Sequence, residues 1–322
     1  MDYSLSQFSR RHLLQSAAAG FAAASFASQV HAMESPAAPR AAAERPFKLC
    51  LNTSTIRGQE IGIEREIELA AKVGFDSLEP WVDQLTKFRD AGGSLQDLGK
   101  RIADLGLTVE SAIAFTAWIV DDDAKRAAAL EDTKRAMDLV AQIGGQRIAA
   151  PPVGATDAHD TDLAKIAGRY RALLEIGDQT GVVPLLELWG FSKTLSRLGE
   201  VAYVAIEAAH PKASILTDVY HIYKGGSDPA SLKLLNGAEM HCLHMNDYPD
   251  IPRDKIVDAD RVFPGDGVAP LPMILRTLRG IGFRGALSLE VFNREYWRRD
   301  PEAVLREGVE KMRVAVESAL RE

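Results

Sequence analysis

The chain has 322 residues, a formal net charge of −7 and two cysteines. The acidic balance argues against a nucleic-acid partner, whose phosphates need a basic face. Two cysteines cannot supply the disulfide framework of a small secreted scaffold, and past residue 32 no apolar run is long enough to span a bilayer.

The N-terminal stretch reads as an export signal rather than as part of a fold. Ser9-Arg10-Arg11-His12-Leu13-Leu14 is close to the twin-arginine pattern, and a weakly apolar, Ala-rich run at 16–28 follows. Val30-His31-Ala32 is an A-x-A-type cleavage site. An ordinary secretory signal and an uncleaved anchor are the alternatives. The expected localisation is periplasmic or secreted, by twin-arginine export, with no stable membrane insertion once the signal at 1–32 is removed. Residues 33–45 are Ala/Pro-rich and read as a disordered spacer. Residues 1–32 carry Asp2, Arg10 and Arg11, net +1, which leaves about −8 on the remainder.

From Phe47 onward a strand followed by an amphipathic helix recurs. Strands are expected at 47–53, 75–80, 107–113, 147–151, 183–188, 214–218, 240–245 and 286–291. Their apolar, largely non-alternating composition fits strands covered on both faces, as in a parallel sheet. Helical stretches occupy 63–72, 124–143, 162–180 and 271–280, and a long amphipathic helix at 301–321 begins with a proline. Gly74, Gly106, Gly144, Gly181 and Gly282 each fall after a helix and before a strand, where a left-handed residue ends a helix. Eight such units with no break in composition indicate one α/β domain at 46–322, a (β/α)8 or TIM barrel. A doubly wound open sheet is the alternative, but no G-x-G-x-x-G follows the first strand. Cys50 and Cys242 fall in the first and seventh strands, which are not neighbours in such a barrel, so both read as buried thiols.

The last four strands each close on a residue that can bind a cation: Glu187, Asp218, His244 and Glu290. A charged group at the end of a buried strand costs solvation energy unless something compensates it. The four lie 31, 26 and 46 residues apart, and a long loop at 247–267 accounts for the third gap. In a barrel the C-terminal ends of consecutive strands converge at the mouth used for active sites, so one divalent cation can compensate all four. Three carboxylates and an imidazole suit Mn2+, Mg2+, Co2+ or Zn2+, whereas a structural zinc favours thiolates. The plainer alternative is four unrelated strand ends held by caps and salt bridges.

These residues resemble the sugar phosphate isomerase/epimerase family of xylose isomerase-like barrels, over essentially all of 46–322. The family's metal set, Glu–Asp–His–Glu on strands five to eight, falls on Glu187, Asp218, His244 and Glu290. The likeness is strongest in Thr217-Asp218-Val219-Tyr220-His221, Leu243-His244-Met245-Asn246-Asp247 and Arg261-Val262-Phe263-Pro264-Gly265-Asp266-Gly267. Residues 288–297 are most similar to the inosose (2-keto-myo-inositol) isomerase branch. The resemblance implies a metal-dependent enzyme, with Mn2+ foremost, that isomerises or epimerises a keto-sugar or inosose through an enediol(ate). It assigns Glu187 and Glu290 as both ligands and acid/base groups, and leaves Asp218 and His244 to hold the ion. A bound cation lowers a carboxylate's basicity but also acidifies the substrate C–H, so the two effects match.

The resemblance also points to substrate contacts. His221 completes a D-x-x-H pattern and contacts a substrate oxygen in the family; a surface histidine in a loop is the alternative. Asn246 shares strand parity with His244 and so can face the mouth, unless it forms the turn before Asp247. Asp266 either orients His244 from behind or makes a tight turn. Arg261 binds a substrate oxygen or phosphate, or is simply solvated. Glu79, ending the second strand opposite the metal side, meets a sugar hydroxyl or pairs with a lysine. Trp81, Trp118, Trp189 and Trp297 all fall at or just past strand ends, either as an aromatic rim for a sugar ring or as caps on the core. Trp81 and Trp189 are the two expected at the substrate. Competing functions are a metal-dependent lyase (a dehydroshikimate-type dehydratase or an enzyme of 3-keto-glycosides, which export favours) and a non-catalytic carbohydrate-binding barrel. An endonuclease-IV-like repair protein would need more histidines and a basic groove. The expected partner is a small sugar or cyclitol, with homo-oligomerisation open.

Overall fold

The computed structural model describes residues 46–158 and 162–321, within one compact unit, Glu44–Glu322. The expected signal at 1–32, the spacer at 33–45 and His159 lie outside the described residues. Eight strands alternate with helices: β1 Lys48–Asn52, β2 Ser77–Glu79, β3 Thr108–Val109, β4 Arg147–Ala150, β5 Val183–Glu187, β6 Ile215–Asp218, β7 Cys242–Met245 and β8 Ala286–Leu289. The intervening and closing helices are α1 Ile63–Val73, α2 Val82–Asp90, α3 Leu95–Asp104, α4 Asp123–Gln142, α5 Leu163–Thr180, α6 Leu198–Glu207, α7 Val219–Gly225, α8 Leu271–Gly280 and α9 Pro301–Leu320.

All ladder pairings are parallel, in the order β3-β2-β1-β8-β7-β6-β5-β4. The first strand pairs with the last, which an open doubly wound sheet does not do, so the single-domain TIM barrel stands. The ring closes between β3 and β4 through Ala149 N–H donating to Ala112 O at 2.8 Å. β2 and β3 are shorter than their apolar runs suggest, because past Val109 the chain keeps only separate bonds, Glu110 N to Leu78 O and Ile113 N to Pro80 O. The five glycines expected at helix ends all take positive φ, from 76° to 94°.

Outside the barrel wall, the apolar helix faces pack on strand side chains such as Leu49, Leu51, Leu186, Leu243, Leu287 and Leu289. Inside it, Cys50, Ile113, Ala149, Leu185, Leu216, Cys242 and Ala286 form an apolar plug. Both cysteines are free and buried, with β8 between their strands, and burial pushes each thiol far up. One step toward the C-terminal mouth, the interior turns polar. Registers Asn52↔Glu79, Asp218↔His244 and His244↔Ser288 set these side chains at one level. The plug therefore forms the floor beneath the charged layer.

Candidate metal centre and active site

His244 lies at the centre of the polar layer, fully buried on β7. Three carboxylates converge on its Nδ1: Glu290 Oε2 at 3.1 Å, Asp218 Oδ2 at 3.6 Å and Glu187 Oε1 at 3.8 Å. None of these contacts is aligned as a hydrogen bond, and both His244 Nδ1 and Glu187 Oε2 are buried without a hydrogen-bond partner. Three converging carboxylates exceed the single charge that Arg261 brings to Asp218 and Glu290, so a further cation would balance them. Ligand atoms of Asp218, His244 and Glu290 all lie within 4.8 Å of one another. The donor set and the two unpartnered atoms fit a divalent ion of the hard-to-borderline kind. Glu79, Cys242 and His244 form a second trio within the same distance. There, however, the thiol is pushed far up by burial, and Glu79 is already saturated.

The candidate ligands differ in how their neighbours hold them. Asp218 caps α7, with Oδ1 accepting from His221 N at 2.9 Å, and its Oδ2 accepts from Arg261 Nη1 at 2.9 Å. Burial opposes its ionisation, but Arg261 and then His221 hold its carboxyl far below the usual range. Burial instead lifts Glu187 to about 8, helped by Glu290 and Glu79 and opposed by His244. His244 is raised: burial alone would lower it, but Glu290 and Glu79 override. A bound divalent cation replaces such protons.

The partner behind His244 is Glu79, not Asp266. Glu79 Oε2 stands 3.0 Å from His244 Nε2 and accepts from Asn52 Nδ2 at 2.9 Å and Ser288 Oγ at 2.6 Å. It meets neither a lysine nor open space for a sugar hydroxyl, since the layer encloses it completely. Asp266 is corrected accordingly. Its side chain pairs with Lys311 on α9, and its own N–H closes a turn onto Phe263 O. Asp247 organises that turn by accepting from Tyr248, Gly265 and Ala269 N–H groups.

Arg261, expected either in solvent or on a substrate oxygen or phosphate, lies inside the cluster instead. Nη1 bridges Asp218 and Glu290 (2.8 Å), while Nη2 bonds Asp258 Oδ1 at 2.5 Å and His221 Nε2 at 3.2 Å. Its guanidinium lies between Tyr220 and Phe292, 4.4 and 5.1 Å from the ring centres. Asn246 is likewise committed: Oδ1 accepts from Tyr220 N, and Nδ2 reaches Asp218 and Glu290 O. It neither faces the mouth freely nor forms a turn. His221 is buried too, and burial, seconded by Arg261, brings it down to about 4 against the pull of Asp218. Because Arg261 donates to Nε2, the ring proton sits on Nδ1, which is buried and unpartnered.

The tryptophans divide. Trp118 is fully buried, donates to Pro151 O and packs on Tyr170, so it caps the core. Trp297 packs over Gly58 and donates to Ser54 O. Trp81 and Trp189 belong to a continuous aromatic arc: Phe292, Trp81, Phe115, Trp189, Phe191 and finally His221, with successive ring centres 4.9–6.1 Å apart. Phe115 and Phe191 remain 47% and 43% exposed, an unusual cost for large apolar rings at a polar mouth. These three phenylalanines escaped the sequence reading, as did Asn52. Phe115, Phe191 and Phe292 each follow a strand end closely, which is the one local signal that marks them.

Residues 67–315 match the family described as xylose isomerase-like TIM barrel. An inosose isomerase of Bacillus velezensis is 26% identical over 274 residues, 84% of this chain and 97% of that protein. A 3-dehydroshikimate dehydratase of Pseudomonas putida is 24% identical over 233 residues, 72% of this chain but 36% of that longer protein. The crystal structure of the IolI protein with a zinc atom bound matches with TM-score 0.78 at 22% identity, covering 86% of this chain and 100% of its own.

Proposed function

The chain belongs to the xylose isomerase-like TIM barrel family, and on that premise we propose that it is a divalent-metal-dependent isomerase or epimerase of a keto-sugar or inosose. The observation that carries this reading is the convergence of Glu187, Asp218 and Glu290 on buried His244 Nδ1, which leaves that nitrogen and Glu187 Oε2 without a hydrogen-bond partner. The similarity to an inosose isomerase over nearly all of that protein supports it.

When bound by Glu187, Asp218, His244 and Glu290, a divalent ion such as Mn2+, Mg2+, Co2+ or Zn2+ polarises the substrate's carbonyl and hydroxyl oxygens as a Lewis acid. Glu187 ends β5 and Glu290 directly follows β8, on either side of β6 and β7. Two carboxylates so separated can take a proton from one substrate carbon and return it to the neighbouring carbon or the opposite face, through an enediol(ate). Glu187 offers its unpartnered Oε2 for this transfer. Glu290 presents a carboxylate whose Oε1 and Oε2 are held by Asn52 and Arg261. His221 donates from Nδ1 to a substrate oxygen. The aromatic arc covers an apolar sugar face and keeps water from the enediol(ate).

The second reading is a lyase acting on a dehydroshikimate-like acid or a 3-keto-glycoside, favoured by the relative named 3-dehydroshikimate dehydratase. A carboxylate substrate needs a cation of its own, and Arg261 is already engaged by Asp218, Glu290 and Asp258. Arg261 is therefore not free to meet a substrate carboxylate. Incubating the protein with neutral keto-sugars, inososes and dehydroshikimate in D2O, followed by NMR, separates the readings. Deuterated isomers support the first, elimination products the second, and binding without turnover a carbohydrate-binding barrel.

The twin-arginine pattern of Arg10-Arg11 supports export of the mature chain, with 1–32 removed and 33–45 as a spacer. N-terminal sequencing of protein from the periplasmic fraction tests this, and retention of Met1 in the cytoplasm refutes it.

A further inference from the structure

We propose that Asn52 is a positioning residue that ties the aromatic arc to the metal and proton-transfer groups. It ends β1, a strand that supplies no ligand, and β1 lies between β2 and β8. Both ends of its amide are used. Nδ2 donates to Glu79 Oε2 at 2.9 Å and to Glu290 Oε1 at 3.1 Å, while Oδ1 accepts from Trp81 Nε1 at 2.9 Å and Ser54 N at 3.0 Å. Two donors meet the oxygen and two carboxylates meet the nitrogen, so flipping the amide would oppose like with like at all four contacts.

The connections reach both sides of the site. Glu79 continues to His244 Nε2, so Asn52 steadies a ligand directly through Glu290 and another indirectly through Glu79. Without its N–H groups, the two carboxylates would flank β1 with no donor joining them. On the other side Trp81 packs at a tilt on Phe115 and edge-on against Phe292, the rings that border the mouth. A substrate pressing on Trp81 therefore acts on the side chain that holds Glu290. This role rests on the proposed isomerase reading for the meaning of Glu290, but its effect on metal binding does not.

The test uses the full chain and two variants. Asn52→Ala removes all four contacts, and Trp81→Phe keeps a ring but deletes the indole N–H that reaches Asn52. Zn2+ and Mn2+ affinities are measured by competition with a chromogenic chelator, alongside thermal melting and, with a turned-over keto-sugar, kcat and KM separately. The Asn52→Ala variant should bind metal roughly 10–100-fold more weakly, the range for groups that orient metal ligands. Trp81→Phe should lower kcat by roughly tenfold, the scale of a lost hydrogen bond to a charge-bearing network, with a smaller change in KM. Wild-type metal affinity in a folded Asn52→Ala protein overturns the proposal. So does a Trp81→Phe enzyme altered in KM alone, which would make Trp81 a platform and nothing more. If Asn52→Ala does not fold, Asn52→Asp replaces it, keeping the acceptor for Trp81 and Ser54 while facing Glu79 and Glu290 with a third carboxylate; an unchanged kcat there also overturns it. Absence of any turnover in the wild type would remove the isomerase reading and leave the affinity comparison to judge Asn52.

Discussion

Replacing Glu66 by Gln should flatten the pH dependence of stability between about pH 5 and pH 8. Glu66 is fully buried on α1, both its oxygens accepting from Gln84 Nε2 at 2.9 Å. Gln84 Oε1 in turn accepts from Thr53 Oγ1 at 2.6 Å. Burial raises the carboxyl from 4.5 to about 7, although Gln84 and Arg57 pull the other way. A carboxyl raised on folding binds its proton more tightly in the native state. Stability is therefore greatest below the unfolded value and declines as pH climbs from 4.5 toward 7. At 1.36 kcal/mol per unit, the complete loss is roughly 3 kcal/mol, with about 2.5 of it falling between pH 5 and pH 8. In the Glu66→Gln variant the new amide carbonyl still accepts from Gln84 but does not ionise. Melting curves of both proteins across this range give the difference directly, because all other titrations cancel. At about 2–4 °C per kcal/mol for a domain of this size, the variant should gain roughly 5–10 °C over the wild type from pH 5 to pH 8. Parallel curves would show that Glu66 ionises freely and that its burial carries no such cost.

Glu290→Gln should abolish exchange of the substrate C–H with D2O, a loss of roughly 10²–10⁴-fold if Glu290 moves the proton; retained deuterium incorporation would remove it from that role. Dialysis against a chelator should lower the melting temperature and readdition of Mn2+ or Zn2+ should restore it, by roughly 4 kcal/mol at a thousand times Kd. Identical melting with and without chelator would contradict a metal-filled cluster. Gly190→Ala should destabilise the protein by about 1–3 kcal/mol and raise KM. A Cβ there would overlap His221 O and Gly225 N, where the loop carrying Trp189 and Phe191 crosses the end of α7. A variant with wild-type melting and KM would show that the loop gives way freely.

Much of this architecture is legible in the sequence alone. Apolar runs of strand length, glycines at helix ends and the repeat of strand and helix are local signals, and the ladder pairings agree with them. The strand-end carboxylates and His244 were legible for the same reason, since a charge closing a buried run stands out against its neighbours. Asn52 closes such a run too, as the last residue of β1, but an amide carries no charge to mark it as out of place. Phe115, Phe191 and Phe292 follow three different strand ends, and only the fold joins their rings through Trp81 and Trp189.

The amino-acid order by itself determined the eightfold repeat, the polar layer at one end of the strands and the candidate donors that close them, because each depends on residues within a few positions of one another. Only the closed barrel decided which group backs His244, where Arg261 spends its charge, and that Asn52 faces two carboxylates and an indole at once. Glu79 lies 165 positions from His244 in the chain and 3.0 Å from it in space. Barrel closure, by pairing β1 with β8, brings such groups together across the ring. Contacts made that way depend on strand register and curvature rather than on spacing along the chain.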